Sequence, residues 1–264
     1  MYAAKYHKPA SVADAVSALS GAADGAVLAG GQTLLPTMKQ HLAAPSDLVD
    51  IRGIDGMVGV SAADGALTIG AATTHAEVAS NPEVLAHIPA LACLAEGIGD
   101  PAVRHMGTIG GSVANNDPAA DYPSAVLALN ATIVTNAREI AADDFFDGMF
   151  STVLDDGEII TAVRFPVPER AAYSKFPNPA SRYAMAGVFV AKTGGGVRVA
   201  VTGAGENGVF RHDGLEAALA ADFSEAAAGG VAVSADGLMS DLHGSADYRA
   251  NLVSVMARRA VAAA

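Results

Sequence analysis

The chain of 264 residues contains one cysteine, no tryptophan and only 16 basic residues against 28 acidic ones. A single cysteine excludes an intrachain disulfide framework, and it cannot supply the thiolates of an iron–sulfur cluster or a structural zinc site. The formal charge of −12 offers no basic face to a phosphate backbone, which argues against nucleic-acid binding. Charged residues or glycine interrupt the most apolar stretches before they reach the length of a transmembrane segment.

The surroundings of the one cysteine and of the N-terminus indicate the compartment. Cys93 stands in Leu91-Ala92-Cys93-Leu94, a setting that predicts a small buried side chain rather than a nucleophile. Lys5 and Lys8 occupy the first residues, and no apolar run follows them, so the N-terminus does not resemble a signal peptide. We expect a cytoplasmic protein without a transmembrane segment.

The length exceeds that of an average domain, so we expect more than one lobe. Residues 1–52 predict a first small α/β unit, in which Ser11 and Asp14 form a capping box at the start of a helix. Residues 53–168 predict a second α/β unit, and a proline-rich run after it marks a boundary. Residues 169–264 predict a compact α+β domain that ends in a helix beginning after Ser245.

Within these units the sequence patterns predict individual helices, strands and loops. A helix over residues 83–98 is interrupted by Pro89, and residues 100–121 carry much glycine, proline and asparagine with little regular pattern. Loops of that length inside a compact domain are usually functional. Residues 185–192 and 197–202 predict two strands of a hairpin around Gly194-Gly195-Gly196.

Two glycine pairs stand beside hydroxyl side chains, each after a segment that can run extended. The first is Ala29-Gly30-Gly31-Gln32-Thr33, and the second is Thr108-Ile109-Gly110-Gly111-Ser112. A bare backbone can approach a bulky anion, and paired glycines reach the φ > 0 values that turn successive N–H groups to one side. One such loop is weak evidence for phosphate, and an ordinary turn is the alternative. Two in one chain predict a diphosphate between two loops, and hence a dinucleotide.

Two carboxylates follow the second glycine pair. Asp117 precedes a proline and can pin the loop, and Asp121 stands directly before a helix, where an N-cap is the simpler explanation. Because a carboxylate beside a diphosphate is repulsive, these acids are better suited to accept hydrogen bonds from ribityl or ribose hydroxyls, or to orient backbone. Arg104 either offsets diphosphate charge or pairs with Asp100.

Other motifs carry less weight. Residues 203–208 fit G-x-G-x-x-G after a strand, but no helical pattern opens within the glycines and no acidic residue ends a following strand, so we interpret them as a loop tip. The seven histidines are scattered without the spacing of metal ligands, and no G-x-S-x-G is present. We therefore predict no metal site and no catalytic acid, base or nucleophile on this chain.

The two loops and their surroundings resemble a known family. The stretch 29–36 resembles the first flavin-binding stretch of the FAD-binding medium subunits of molybdenum hydroxylases, the aerobic carbon monoxide dehydrogenase and xanthine dehydrogenase group. Residues 99–104, 107–111 and 117–123 are similar to the second stretch. The resemblance extends to Phe145-Phe146 with Gly148, to 157–160 and to 244–249, and so covers essentially the whole chain.

The resemblance implies an α+β fold with an FAD-binding region of two α/β subdomains, of the vanillyl-alcohol-oxidase (PCMH) type. A small α+β C-terminal domain of the carbon monoxide dehydrogenase flavoprotein type follows. It implies FAD with its diphosphate between the loops at 29–33 and 108–112, Asp121 on the flavin or ribityl chain, and Ile98 and Ile160 along the pocket. Tyr183 falls where the C-terminal domain covers the isoalloxazine ring. The family often has histidine where Gln32 stands. Because some relatives in the wider superfamily attach flavin covalently through a histidine there, Gln32 implies that FAD is held non-covalently.

The implied function is electron transfer. In this family a large partner subunit carries the molybdenum cofactor, a small partner carries iron–sulfur clusters, and the medium subunit passes electrons from FAD to an external acceptor. The expected assembly is a dimer of heterotrimers, a heterohexamer. The alternatives are a stand-alone FAD-dependent oxidoreductase of the same superfamily and a scaffold that has lost its flavin.

Overall fold

A parallel three-stranded sheet organises the first 52 residues in a computed structural model that describes residues 1–264. Its strands are β1 (Lys5–His7), β2 (Gly25–Leu28) and β3 (Asp47–Asp50), in the order β1-β3-β2. Helix α1 (Val12–Ser20) begins after Ser11, whose hydroxyl accepts a hydrogen bond from the Asp14 N–H. The predicted capping box is only half formed, because the Asp14 carboxylate accepts from the Ser11 hydroxyl at 2.7 Å and not from the Ser11 N–H. The first glycine loop joins β2 directly to helix α2 (Leu34–Lys39).

An antiparallel five-stranded sheet follows. It comprises β4 (Val60–Ala63), β5 (Ala66–Gly70), β6 (Thr132–Thr135), β7 (Glu139–Ala141) and β8 (Ile160–Pro166), in the order β4-β5-β8-β6-β7. Leu67, Ile69 and Val163 are fully buried, as the alternation of side chains along a half-covered sheet requires. This face packs on the helices inserted between β5 and β6.

Six helices lie in that insertion: α3 (His75–Ser80), α4 (Pro82–His87), α5 (Pro89–Glu96), α6 (Pro101–Arg104), α7 (Ile109–Asn115) and α8 (Tyr122–Ala128). The expected interruption at Pro89 separates α4 from α5, because proline cannot donate the hydrogen bond that would continue α4. The expectation of an irregular stretch over 100–121 was wrong, since α6 and α7 lie there. Both helices depend on side-chain caps, from Asp100 and Thr108, and are too short to show a period.

The C-terminal part contains an antiparallel four-stranded sheet in the order β12-β11-β10-β9. Its strands are β9 (Arg170–Pro177), β10 (Ala184–Thr193), β11 (Gly196–Thr202) and β12 (Phe210–Arg211), and its helices are α9 (Asp213–Ala221), α10 (Glu225–Gly229) and α11 (Ala246–Ala263). The β10–β11 hairpin was predicted. The segment interpreted only as a boundary contains β9, the edge strand of this sheet, which pairs antiparallel with β10 across the loop of residues 178–183.

Alternation along β10 joins the third sheet to the rest of the molecule. Phe189 belongs to the core shared by the first two sheets, whereas Val188 and Val190 pack in a second core beneath α11. One sheet falls in each of the stretches 1–52, 53–168 and 169–264, and their division into three domains stays a prediction. None of the helices combines the length and the apolar character that crossing a membrane requires.

The expectation for the single cysteine was wrong, because Cys93 is exposed. Its neighbours on α5 are buried, but successive residues of a helix point about 100° apart. Apolar neighbours in sequence therefore do not place Cys93 on their own face.

Candidate functional site

A cavity of about 810 Å³ opens between the loop after β2, the start of α7 and the loop between β9 and β10. Its volume falls within the range of cofactor and ligand sites. Fourteen of the fifteen sequence-predicted site residues line it: Ala29, Gly30, Gly31, Gln32, Thr33, Ile98, Thr108, Gly110, Gly111, Ser112, Asp117, Asp121, Ile160 and Tyr183. Ile109 does not, because its side chain is buried in the core and its N–H donates to the Thr73 carbonyl at 3.1 Å.

The first glycine loop presents a row of backbone donors. Gly31 has φ +70°, a left-handed conformation that favours glycine. The N–H groups from Gly30 to Thr33 donate no hydrogen bond within the chain, whereas the Gly31 carbonyl accepts one from Leu35 at 3.1 Å. Successive N–H groups without an internal acceptor form a concavity suited to an anion. The loop therefore leaves four consecutive backbone donors without an acceptor in the chain.

The two loops meet at a backbone-to-backbone contact. A Cβ built on Gly30 would overlap the Met106 carbonyl oxygen and lie 2.6 Å from the Gly107 Cα. Gly107 in turn leaves no room for a Cβ, because the ring of His75 lies against it. Glycine at position 30 is thus required by close packing, with its own φ not positive. This contact fixes the spacing of the cavity walls.

The second glycine pair differs from expectation. Gly110 and Gly111 occupy the first turn of α7 with helical backbone, not φ > 0. Their N–H groups are engaged: Gly110 donates to the Ala71 carbonyl at 2.9 Å and Gly111 to the Thr108 hydroxyl at 3.2 Å. A Cβ on Gly110 would stand 2.5 Å from the Ala71 Cβ, so the pair allows α7 to approach the end of β5. The second glycine pair therefore allows close packing at the cavity wall and offers no free backbone donors.

The two carboxylates are held differently. Asp117 accepts a hydrogen bond from the Ala119 N–H at 2.9 Å, and burial raises its pKa above the usual value. Asp121 makes no helix cap and instead accepts from the Tyr173 hydroxyl and from Lys175 Nζ, the latter at 3.0 Å. Burial raises the pKa of Asp121, and Lys175 and Tyr173 oppose that rise. Since both donors come from β9, Asp121 ties the third sheet to the cavity.

The loop between β9 and β10 reaches the cavity with Tyr183. Asn178 closes the loop: its N–H donates to the Tyr183 carbonyl at 2.7 Å, and its side chain accepts from the Ser181 N–H at 3.2 Å. Arg182 has φ +63° and its guanidinium donates to the Gly99 carbonyl at 3.4 Å. The Tyr183 side chain remains half exposed at the cavity, and burial raises its pKa. The Tyr183 side chain therefore forms part of the cavity wall at the end of this loop.

Several residues that line the cavity were not among the predicted site residues, and the role of Arg104 was misjudged. His75 and Glu158 are two of the unpredicted lining residues: no local pattern marks His75, and Glu158 stood only within the stretch 157–160 of the family resemblance. Arg104 neither lines the cavity nor pairs with Asp100; its guanidinium donates to the Ile98 and Gly99 carbonyls at 2.9 and 3.2 Å. Its role is to shape the turn that carries Ile98. These contacts depend on neighbours brought together by the fold.

Glu158 is locked by Arg138, whose Nε and Nη2 donate to the two carboxylate oxygens at 3.0 and 2.9 Å. The Thr135 hydroxyl donates to the same carboxylate at 2.7 Å. The Arg138 hydrogen bonds are the main cause that lowers the pKa of Glu158 to about 2. The Glu158 side chain is only 2% exposed, so the pair stabilises this wall of the cavity.

The hydrogen bonds of Glu158 to Arg138 and Thr135 predict that the folded chain loses stability in acid. Because the folded chain holds the proton less tightly than the unfolded chain, the contribution is present above about pH 4.5 and is lost as pH falls towards 2. Glu158→Gln should lower the free energy of unfolding at pH 7 by about 3 kcal/mol and flatten its decline in that window. Urea unfolding from pH 7 to pH 2.5 measures both. The exposed pair Glu139–Arg164 supplies the control, since Glu139→Gln should change little.

Residues 2–168 match the model of the family described as the FAD binding domain in molybdopterin dehydrogenase. The chain belongs to this family. The resemblance deduced from the glycine loops is thereby confirmed.

Relatives extend the similarity over the whole chain. The nicotine 6-hydroxylase medium subunit of Paenarthrobacter nicotinovorans is 35% identical, with 98% of this chain and 96% of the relative covered. The carbon monoxide dehydrogenase medium chain of Hydrogenophaga pseudoflava is 35% identical over the same shares of each chain. The names of both relatives are those of subunits of oxidoreductases, a hydroxylase and a dehydrogenase. The similarity covers nearly the whole of this chain and of each relative.

Solved structures agree. The carbon monoxide dehydrogenase from Hydrogenophaga pseudoflava that lacks the Mo-pyranopterin moiety matches with a TM-score of 0.90 at 35% identity, covering 99% of this chain and 96% of that one. Quinoline 2-oxidoreductase from Pseudomonas putida 86 matches with a TM-score of 0.90 at 30% identity, over 99% and 96% of the two chains. The predicted fold class, an α+β flavoprotein of the carbon monoxide dehydrogenase type, is confirmed.

Proposed function

We propose that this chain is the FAD-binding, electron-transferring medium subunit of a molybdenum hydroxylase complex. The observation that carries the proposal is the cavity between the two glycine loops, with its row of N–H groups from Gly30 to Thr33, in a member of the FAD-binding family. A diphosphate needs several fixed donors, and these backbone groups have no internal acceptor. The residues present therefore fit FAD.

The cavity walls suggest how the chain would hold FAD. The N–H groups of the first loop would bind the diphosphate, and the Thr33 and Ser112 hydroxyls stand beside them in the cavity wall. Ile98 and Ile160 would flank the apolar ring system, which Tyr183 would cover. FAD, when bound, supplies reversible electron transfer, and the protein contributes binding, orientation and electrostatics.

Partners complete the proposed role. The chain has one cysteine, so the iron–sulfur clusters would reside on a small partner subunit and the molybdenum cofactor on a large one. The chain would receive electrons from the small subunit and deliver them to an external acceptor. The proposed assembly is a dimer of heterotrimers.

Purification of the native complex tests this role. We expect two further chains to co-elute, with molybdenum and iron in the complex, and we expect its flavin to be reduced when the substrate of the complex is added anaerobically. A yellow chain that elutes alone and turns over a small substrate would instead support the stand-alone oxidoreductase.

The proposed cover of the flavin predicts a modest loss of affinity in Tyr183→Ala. Aromatic stacking contributes about 0.5–1.5 kcal/mol beyond burial, so the Kd for FAD should rise by about 3- to 10-fold. Calorimetric titration of the FAD-depleted full chain measures it. Tyr2→Ala is the matched control, because Tyr2 is similarly exposed and does not line the cavity. Equal Kd values for the two variants would contradict the placement of Tyr183 over the ring.

A further inference from the structure

His75 is the one histidine that lines the cavity, and its ring has no hydrogen bond within the chain. The residue is 5% exposed, and its Nδ1 is enclosed without a partner. Nε2 has no partner within the chain either, but it is not enclosed, so Nε2 is the ring atom that can reach a ligand. The tilted ring of Tyr122, at 5.3 Å between centroids, packs against His75 without supplying a hydrogen bond.

The position of the ring is fixed by backbone contacts. The His75 N–H donates to the Gly107 carbonyl at 2.9 Å, and a Cβ on Gly107 would stand 2.7 Å from His75 Nε2. Gly107 also forms the contact with Gly30 that joins the two loops. His75 therefore lies beside the junction of the loops, on the same cavity wall as the first loop and its backbone donors.

The chemical state of the ring follows from its surroundings. Burial, and to a smaller extent the positive charge of Arg104, lower the pKa of His75 to about 4, so the imidazole is neutral at neutral pH. A neutral imidazole carries one N–H. An enclosed N–H without an acceptor is rarer than an enclosed acceptor without a donor, which assigns the proton to Nε2 rather than to the enclosed Nδ1.

We propose that His75 is a positioning residue of the flavin site, donating a hydrogen bond from Nε2 to a diphosphate oxygen of FAD. This inference rests on the proposed binding of FAD. The ring adds a neutral side-chain donor beside the backbone N–H groups of the first loop. Its fixed orientation lets it select the position of the ligand oxygen as well as bind it.

The test compares the full chain with two substitutions, after FAD has been removed and titrated back. We expect His75→Leu to raise the Kd for FAD by about 10- to 100-fold, as loss of a hydrogen bond to a charged oxygen does, and His75→Gln to recover part of it. The ³¹P signals of bound FAD should move in His75→Leu. His105→Leu is the control, because His105 is exposed, bonded through Nδ1 to the Pro101 carbonyl, and outside the cavity lining.

A measurement on the unsubstituted chain does not depend on how the variants fold. With ¹⁵N-labelled histidine, Nε2 of His75 should be the protonated nitrogen, and its resonance should shift when FAD binds. An unchanged resonance, or unchanged ³¹P signals and Kd in a folded His75→Leu, would overturn the role of His75 while leaving FAD binding intact. Failure of the unsubstituted chain to bind FAD would overturn the proposed function together with this inference.

Discussion

Gly30→Ala should weaken FAD binding by at least about 100-fold, equivalent to about 2.8 kcal/mol. The new Cβ would overlap the Met106 carbonyl oxygen and stand 2.6 Å from the Gly107 Cα. Backbone atoms cannot rotate aside as a flexible side chain does, so the two loops must separate. The cavity wall then loses the spacing on which both loops depend. Titration of the FAD-depleted chain with FAD measures the change, and circular dichroism checks that the fold is kept.

Gly194→Ala is the matched control for that substitution. Gly194 lies in the turn between β10 and β11, and a Cβ built there meets nothing within 4 Å. The control removes the same amount of backbone freedom without touching the cavity, so its affinity for FAD should equal that of the unsubstituted chain. Wild-type affinity in Gly30→Ala would contradict the close contact of the loops as a requirement for binding.

Lys175→Met should have the largest effect on stability. Lys175 is 10% exposed at its side chain, and its Nζ donates to Asp121 Oδ2 at 3.0 Å and to the Gly97 carbonyl at 2.9 Å. Removing the ammonium leaves a buried carboxylate without its counter-charge. Breaking a buried pair in this way lowers the free energy of unfolding by about 3–5 kcal/mol. Urea unfolding of the full chain at pH 7 measures it.

The loss of unfolding free energy in Lys175→Met should depend on pH, and this dependence identifies its cause. Without Lys175 the pKa of Asp121 should rise further, because burial then acts unopposed. The unfolded chain would lose its proton at lower pH than the folded chain, so the deficit should be full at neutral pH and shrink as pH falls towards 4. Asp121→Asn in the same chain should restore part of the stability.

Lys192→Met provides the comparison on the same sheet. Lys192 pairs with Glu169 at 3.8 Å, and both side chains are about half exposed. Its loss should change the free energy of unfolding by less than about 1 kcal/mol. Equal effects of the two lysine substitutions would show that Asp121 and Lys175 do not form a buried pair.

The site could be predicted in part because its first loop is local. Gly30 and Gly31 are adjacent in sequence, and the row of N–H groups follows from the backbone of a few consecutive residues. The cap of α1 by Ser11 was predictable for the same reason. A helix cap and a glycine loop each depend on a few consecutive residues, so both can be predicted from the sequence alone.

The second glycine pair shows the limit of that approach. Two glycines indicate freedom of φ, but Gly110 uses only the absence of a side chain, against Ala71 at the end of β5. Ala71 is distant in sequence from Gly110, and no pattern in the residues around Gly110 predicts the contact. The prediction of φ > 0 was therefore wrong although the loop lies at the cavity.

The donors to Asp121 and the place of His75 were also beyond local patterns. Lys175 lies 54 residues from Asp121, on β9 of the third sheet, whereas Asp121 directly precedes α8. The sequence indicated that Asp121 binds the ligand or caps a helix. In the structure its carboxylate oxygens accept hydrogen bonds from Tyr173 and Lys175. A histidine after a helix cap has many possible environments, and only packing against Gly107 brings His75 to the cavity.

The flavin content of the purified full chain tests the central claim most directly. The chain, isolated with any partners that accompany it, is heated, and the released chromophore is separated and quantified against the protein. We expect one FAD per chain, entirely in the soluble fraction, since the Gln32 amide in the first loop is not a nucleophile that could bond covalently to flavin. Flavin that stays on the precipitated protein would contradict non-covalent binding, and a flavin-free chain that takes up no added FAD would contradict the cavity between the glycine loops as an FAD site.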